Sequence, residues 1–341
     1  MNKDIIKNAG WDIGGAHVKL AYIHDNKLQV YQWNCPLWKG LNELVSVLKS
    51  ALIPLPEHIT QHHVTMTGEL VDIFTCRDQG VKEIMQVFLE QISTNHCVHF
   101  FSRQGLVDYH HAQQDTSAIA SANWIASGRI VSEHNENVIF VDIGSTTTDV
   151  LSIQNRELEL NGLTDFERLR SGELVYTGVV RSCVNTLCRE IPYKGYMTPL
   201  MAEYFAVSAD VYRILEWLPA HADYGNTMDG MAKDKISSMR RLARMIGEDY
   251  CENDQQEWLN VAHYVADQQM EMIEKSIKVL MKKHVCKPII VGAGVGRFLV
   301  EKIAHNLTLE YREFAKYVVP DDISYSLNAS DCAPAVALVF V

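Results

Sequence analysis

Two short runs in this chain place an aspartate, a glycine and a group of donors at the end of an apolar stretch. They are Asp12-Ile13-Gly14-Gly15-Ala16-His17-Val18-Lys19 and Asp142-Ile143-Gly144-Ser145-Thr146-Thr147-Thr148-Asp149. In the first, the paired glycines Gly14 and Gly15 let the backbone turn tightly and bring its N–H groups to an anion. Lys19 supplies a compact positive charge, and His17 sits inside the turn, where it can hydrogen-bond a phosphate oxygen. Asp12 repels a phosphate, so its presence makes sense as a magnesium ligand acting through water. In the second run Ser145, Thr146 and Thr147 follow Gly144 as hydroxyl and backbone donors. Asp142 repeats the metal-ligand position, and Asp149 opens the next strand as a catalytic candidate beside Lys19. A third run, Ile289-Ile290-Val291-Gly292-Ala293-Gly294-Val295-Gly296, reads as a strand and a glycine-rich turn into a helix. Gly292 and Gly294 there present backbone to a ligand. A dinucleotide site is a poor match, because the run lies near residue 290 and no later strand ends in an acidic residue.

These runs need elements to position them. The first follows a strand and precedes a hairpin, Val18 to His24 and Lys27 to Trp33 around Asp25-Asn26, with alternating apolar and polar residues. The second repeats that arrangement 130 residues later, with strands Val138 to Gly144, Asp149 to Ile153 and Glu157 to Leu160. Spacing predicts helices over Leu41–Leu52, Val81–Gln91, Ala118–Ala126, Pro199–Leu218, Ile236–Ile246, Trp258–His284 and Gly296–His305. Short strands are expected at Val64–Thr67, Cys97–Phe101 and Pro288–Val291, with a packing helix at Cys332–Val341. One device per half argues for two α/β domains: residues 1–134 with 331–341, and residues 135–330 with a helical insertion at about 165–285.

The remaining polar residues divide between chemistry and structure. Glu69 follows Thr67-Gly68 at a strand end and reads either as a general base or as a capping carboxylate. The pairs His62-His63, His96 with His99, and His110-His111 resemble metal pairs. Neighbours on a strand point to opposite faces, however, so they read as surface or loop histidines. Arg240, Arg241 and Arg244 read as partners of local carboxylates, and Asp223 and Asp229 as part of a solvated loop. The eight cysteines form no C-x-x-C pair, which argues against a zinc ribbon. A net charge of −11 argues against a broad nucleic-acid surface. Met1 to Gly10 lacks a signal-peptide run, and no stretch approaches a membrane span, so the expectation is a cytoplasmic protein with small-molecule substrates and no membrane partner. A homodimer stays open.

In this order and at these separations, the three runs resemble the phosphate-one, phosphate-two and adenosine motifs of the superfamily that holds actin, sugar kinases and heat-shock ATPases. That resemblance implies two RNase-H-like domains, each a five-stranded mixed sheet with helices, and an active site in the cleft between them. A narrower resemblance covers nearly the whole chain. It rests on Gly10-Trp11-Asp12-Ile13-Gly14-Gly15-Ala16-His17, Met66-Thr67-Gly68-Glu69-Leu70, Ala122-Asn123-Trp124, the second run, Gly172-Glu173-Leu174-Val175-Tyr176-Thr177-Gly178-Val179 and Arg241-Leu242-Ala243-Arg244. This set is similar to a hydantoinase-A/oxoprolinase-related family tied to the tetrahydromethanopterin-linked one-carbon pathway. The resemblance implies Mg²⁺ as cofactor and a transferase that joins a furan-methyl diphosphate to the phenol of γ-glutamyltyramine. The chain departs from the family at Arg181-Ser182-Cys183-Val184, where an Arg-Thr-Pro-Val-like stretch is expected. ATP remains an alternative cofactor, for a small-molecule kinase or an oxoprolinase-type hydrolase, and a non-catalytic actin-like ATPase is the other rival.

Overall fold

The computed structural model describes residues 6–341, so the first five positions of the expected leaderless N-terminus lie outside the described residues. Contacts group the chain into two compact units. One comprises the residues up to Glu136 with Asn155–Leu158 and Glu313–Val341, and the other Asn137–Gln154 with Glu159–Arg312.

The first unit is built on strands β1 (Asn8–Ile13), β2 (His17–His24), β3 (Lys27–Asn34), β4 (Gln61–Met66), β5 (Cys97–Ser102) and β6 (Gly105–Val107). The hairpin β2–β3 turns at Asp25 and Asn26, both left-handed (φ 50° and 59°), a conformation these two residue types tolerate. β1 pairs antiparallel with β2 and parallel with β4, and β4 runs parallel to β5. The order β3-β2-β1-β4-β5 is the expected five-stranded mixed sheet, with β6 added at one edge. Helices Leu41–Leu52 and Arg77–Gln91 present Leu44, Leu48, Val81, Ile84 and Phe88 to a core that includes Trp11 and Phe100.

The second unit repeats the plan with β7 (Asn137–Ile143), β8 (Thr148–Gln154), β9 (Glu157–Glu159), β10 (Leu174–Val175), the separate hairpin β11 (Glu190–Tyr193) and β12 (Tyr196–Pro199), β13 (Ile289–Ala293) and β14 (Tyr311–Glu313). Its main sheet has the order β10-β8-β7-β13-β14, with β13 parallel to β7. Helices Ser208–Ile214, Lys235–Arg244 and Gln255–Met281 supply the helical part, the last burying Trp258, Val261, Val265, Ile273 and Ile277 along one stripe. Each of the two units is an α/β domain built on a mixed sheet.

Several expectations change. Residues 313–330, expected in the second domain, fold with the first unit: β15 (Ser324–Tyr325) pairs parallel with β3, and helix Phe314–Val318 packs on helix Asn123–His134. The predicted helix Pro199–Leu218 is only Ser208–Ile214: Pro199 ends β12, Leu200 N–H donates to Arg189 O, Met201 N–H donates to Met245 O, and Val207 forms a β-bridge with Cys183. Ala118–Ala126 is two helices, Thr116–Ile119 and Asn123–His134, broken at Ser121. The final packing helix is Ala333–Ala337, lying against β1. Arg241 does pair locally: fully buried, it meets Asp210 at 2.8 Å and Asp229 at 3.0 Å. No helix among the described residues is long and apolar enough to cross a membrane.

His62 and His63 point to opposite faces, as their alternation requires, but both are buried rather than at the surface. Trp11 Nε1–H donates to His62 Nδ1 at 3.1 Å, and His62 Nε2 faces His96 Nδ1 at 3.0 Å. The tautomer that satisfies both contacts is neutral. A second proton on Nδ1 would oppose the tryptophan N–H, and burial, with His96 and His63 nearby, pushes His62 down to about 3. Burial also lowers His63. Both imidazoles are thus neutral in the fold and protonated in the unfolded chain once pH falls below its ordinary value. The unfolded state then binds more protons, so stability is present above about pH 6.5 and falls as pH drops below it. Denaturant unfolding between pH 6.5 and 5 should lose up to about 1.4 kcal/mol per pH unit for each such histidine. The slope should shrink in His62→Gln. A flat profile in that window would contradict this origin.

Candidate functional site

The first loop hangs between β1 and β2. Gly14 N–H donates to the His17 carbonyl at 2.8 Å, which closes a four-residue turn, Gly14 to His17, half-exposed throughout. A second segment locks onto it: Thr67 and Gly68 N–H both donate to the Ile13 carbonyl, at 2.9 and 3.1 Å. The parallel pairing of β1 with β4 brings these residues together at the carboxyl ends of both strands, where open α/β sheets bind ligands.

Across the sheet the register lines up Gln32, Lys19, Asp12 and Thr65 on adjacent strands. Asp12 is buried, and Lys19 Nζ lies 3.3 Å from its Oδ2. Asp12 Oδ1 and Thr65 Oγ1 are both buried and accept no hydrogen bond from any described residue. A lone buried carboxylate oxygen beside a lone hydroxyl fits a hydrated cation better than it fits a protein partner. Among the described residues no three His, Cys, Asp or Glu side chains converge as a metal cluster.

The second loop follows the same plan in its own unit. Gly144 N–H donates to the Thr147 carbonyl at 2.9 Å, and Gly144 to Thr147 are half-exposed. Here the segment that locks on is Gly178 to Arg181: Val179 N–H donates to Gly144 O, and Val180 and Arg181 N–H to Ser145 O. A Cβ at Gly178 would lie 2.4 Å from Thr146 N, so only glycine permits this approach. Gln269 fixes the segment from behind. Fully buried, it donates to Thr177 Oγ1 at 2.8 Å and to Gly178 O at 2.9 Å, and accepts from Tyr212 Oη at 2.6 Å.

The two loops differ at the residue seven positions after the aspartate. The register sets Asp12 opposite Lys19 but Asp142 opposite Asp149. Two carboxylates directly opposite repel. Arg168, buried on its helix, meets Asp149 at 2.9 Å and also donates to the Glu173 carbonyl. In the fold Arg168 is thus the counter-ion of Asp149, the residue expected as a catalytic candidate.

The third run, expected to present backbone to a ligand, also has a packing role. A Cβ at Gly294, whose φ is 78°, would lie 2.2 Å from Ile143 O and 2.4 Å from Asp142 Oδ1. Gly292 meets the Tyr311 ring, and Gly296 N–H donates to Ile143 O. These glycines let the β13 turn close on the second loop, so nucleotide binding is not needed to account for them. Glu69 is not a helix cap, since the next helix starts at Arg77. It is buried, and its Oε1 accepts from Ser121 Oγ at 2.6 Å. Sequence reasoning missed Thr65, Ser121, Arg168 and Gln269, because a single Thr, Ser, Arg or Gln in an amphipathic segment carries no spacing signal.

Breaking a buried pair by removing one partner strands the other charge. Asp149→Ala should therefore lose about 3–5 kcal/mol of unfolding free energy in chemical denaturation, and Asp149→Ala with Arg168→Met should recover most of it. Unchanged stability in the single variant would contradict a stabilising role for the Asp149–Arg168 pair.

The hydantoinase/oxoprolinase family profile matches residues 61–330. Over 331 residues the chain is 29% identical to (4-{4-[2-(gamma-L-glutamylamino)ethyl]phenoxymethyl}furan-2-yl)methanamine synthase of Methanocaldococcus jannaschii, covering 96% of this chain and 95% of the relative. The synthase of the same name from Methanococcus vannielii is 31% identical over 175 residues, 51% of this chain and 78% of that one. Among solved structures, the PilM–PilN type IV pilus biogenesis complex aligns with TM-score 0.50 at 9% identity, over 98% of both chains. Nucleotide-free acetone carboxylase aligns with TM-score 0.50 at 10% identity, over 98% of this chain and 70% of the other. These two likenesses concern the fold alone. With the family profile matched over residues 61–330 and a relative matched nearly from end to end, the chain is an enzyme of the hydantoinase/oxoprolinase family.

Proposed function

We propose that this enzyme is a Mg²⁺-dependent transferase that condenses an (aminomethyl)furan-methyl diphosphate with the phenol of γ-glutamyltyramine and releases diphosphate, in methanofuran-type cofactor biosynthesis. The observation that carries the reading is the end-to-end match to a synthase whose printed product holds a phenoxymethyl-furan ether. The anion-ready loop that each unit carries supports it.

The chemistry has three requirements. The carbon–oxygen bond to diphosphate breaks, and its electron pair leaves with the diphosphate. The phenol oxygen forms the new bond to the furfuryl carbon. The phenolic proton, on a group of pKa about 10, must go to a base. In this reading the N–H groups around Gly14, Gly15, His17 and Gly144 to Thr147, with the Lys19 ammonium, bind and orient the diphosphate and stabilise the charge that develops as it leaves. Asp12 and Asp142 hold magnesium, which when bound neutralises charge on the leaving oxygens. Glu69 accepts the phenolic proton. Lys19, 3.3 Å from the Asp12 carboxylate, is assigned to binding the diphosphate. The packing role of Gly294 argues against a required adenine site.

Calorimetric titration with Mg²⁺ plus inorganic diphosphate, and separately with Mg²⁺ plus ATP, tests the reading. Diphosphate should bind without any gain from adenine, and Asp12→Asn and Asp142→Asn should each weaken it by at least about tenfold. Because Asp12 has one buried oxygen with no protein donor, ligand-free Asp12→Asn should melt no lower than the parent while losing ligand stabilisation. A clear ATP preference would overturn the proposal in favour of a kinase or an ATP-driven hydrolase.

A further inference from the structure

Glu69 is held more closely than a carboxylate in a loop has to be. The residues before it, Thr67 and Gly68, are tied to the Ile13 carbonyl of the first loop. Helix Arg77–Gln91 lies against it at Gly80, where a Cβ would stand 2.5 Å from the Glu69 carbonyl oxygen and 2.8 Å from its Cα. Its carboxylate meets the Ser121 hydroxyl at 2.6 Å. Ser121 lies between helices Thr116–Ile119 and Asn123–His134 with φ 49°, a left-handed conformation that serine adopts at a cost and glycine does not. Strain of this kind persists where the side chain is needed. Glycine would relieve it but has no hydroxyl to donate.

We infer that Ser121 is the positioning residue for Glu69: the break between the two helices aims its hydroxyl at the carboxylate and holds that group oriented as a base beside the first loop. The inference rests on the proposed role of Glu69. A short hydrogen bond from a hydroxyl to a carboxylate fixes the direction of the carboxylate and favours its charged form. Without the hydroxyl, Glu69 would be less well aimed.

Ser121→Gly separates this role from a structural one, because it relieves the left-handed strain while removing the donor. The experiment follows formation of the phenoxymethyl-furan ether from the furan-methyl diphosphate and γ-glutamyltyramine across pH, in the parent, Ser121→Gly, Ser121→Ala and Glu69→Gln. Ser121→Gly should melt at or above the parent temperature. Its kcat/KM should fall about tenfold or more, with little change in KM for the diphosphate, and the acid limb of its pH profile should move to higher pH. Ser121→Ala should show the same kinetic change with lower stability. Full turnover and an unmoved acid limb in Ser121→Gly, while Glu69→Gln is inactive, would overturn the role of Ser121 alone. Full turnover in Glu69→Gln would overturn the assignment of Glu69 as base, and the Ser121 inference with it.

Discussion

Asp12 is a carboxylate buried at the end of β1 with one cation 3.3 Å away and one oxygen that meets no protein donor. Burying a charge this incompletely compensated costs stability, and the surrounding structure is arranged to hold it there. β1 runs through the core of the first unit with Trp11 and Ile13 packed below, so the strand cannot shift to release the carboxylate. β4 pairs in parallel beside it and brings Thr65 into the same row, and the chain beyond β4 locks onto Ile13 through Thr67 and Gly68. Glu69 follows from that lock. The position of the candidate base is therefore set by the same register that sets the candidate metal ligand.

The second unit uses the same turn and changes one charge. With Asp149 where the first loop has Lys19, Asp142 has a like charge as its cross-strand neighbour, and Arg168 takes up Asp149. The second loop thus depends on structure further along the chain: Glu173 and Arg168 on one side, and Gln269 with Tyr212 bracing Thr177 and Gly178 on the other. The departure Arg181-Ser182-Cys183-Val184 falls in this region, where Ser182 Oγ receives Gly178 N–H and Thr177 Oγ1–H. A serine there serves the segment that meets the second loop.

Much of this was legible in the sequence where a residue type answers a local demand. The Asp-Ile-Gly turns, the Asp25-Asn26 hairpin and the long stripe of Gln255–Met281 all follow from backbone geometry and periodicity. Demands made by distant segments were not legible. His62 and His63 look like surface residues until Trp11, His96 and the Leu338 carbonyl supply their partners. Pro199–Leu218 has a helical stripe whose first part instead ends β12 at Pro199 and bonds distant backbone through Leu200, Met201 and Val207. The glycines after β13 suggested ligand contact, and their close neighbours are Asp142, Ile143 and Tyr311. The left-handed Ser121 leaves no local sign, because serine is not the residue that conformation favours.

The central claim is that the loops serve departure of a diphosphate from carbon, and the bond that breaks tests it most directly. A furan-methyl diphosphate carrying oxygen-18 at the bridge between carbon and phosphorus can be turned over with γ-glutamyltyramine, and both products examined by mass spectrometry. The account predicts that all of the label leaves in diphosphate and that the ether oxygen comes from the phenol. Label retained on the furan carbon would mean that the enzyme breaks a phosphorus–oxygen bond, and would contradict the account.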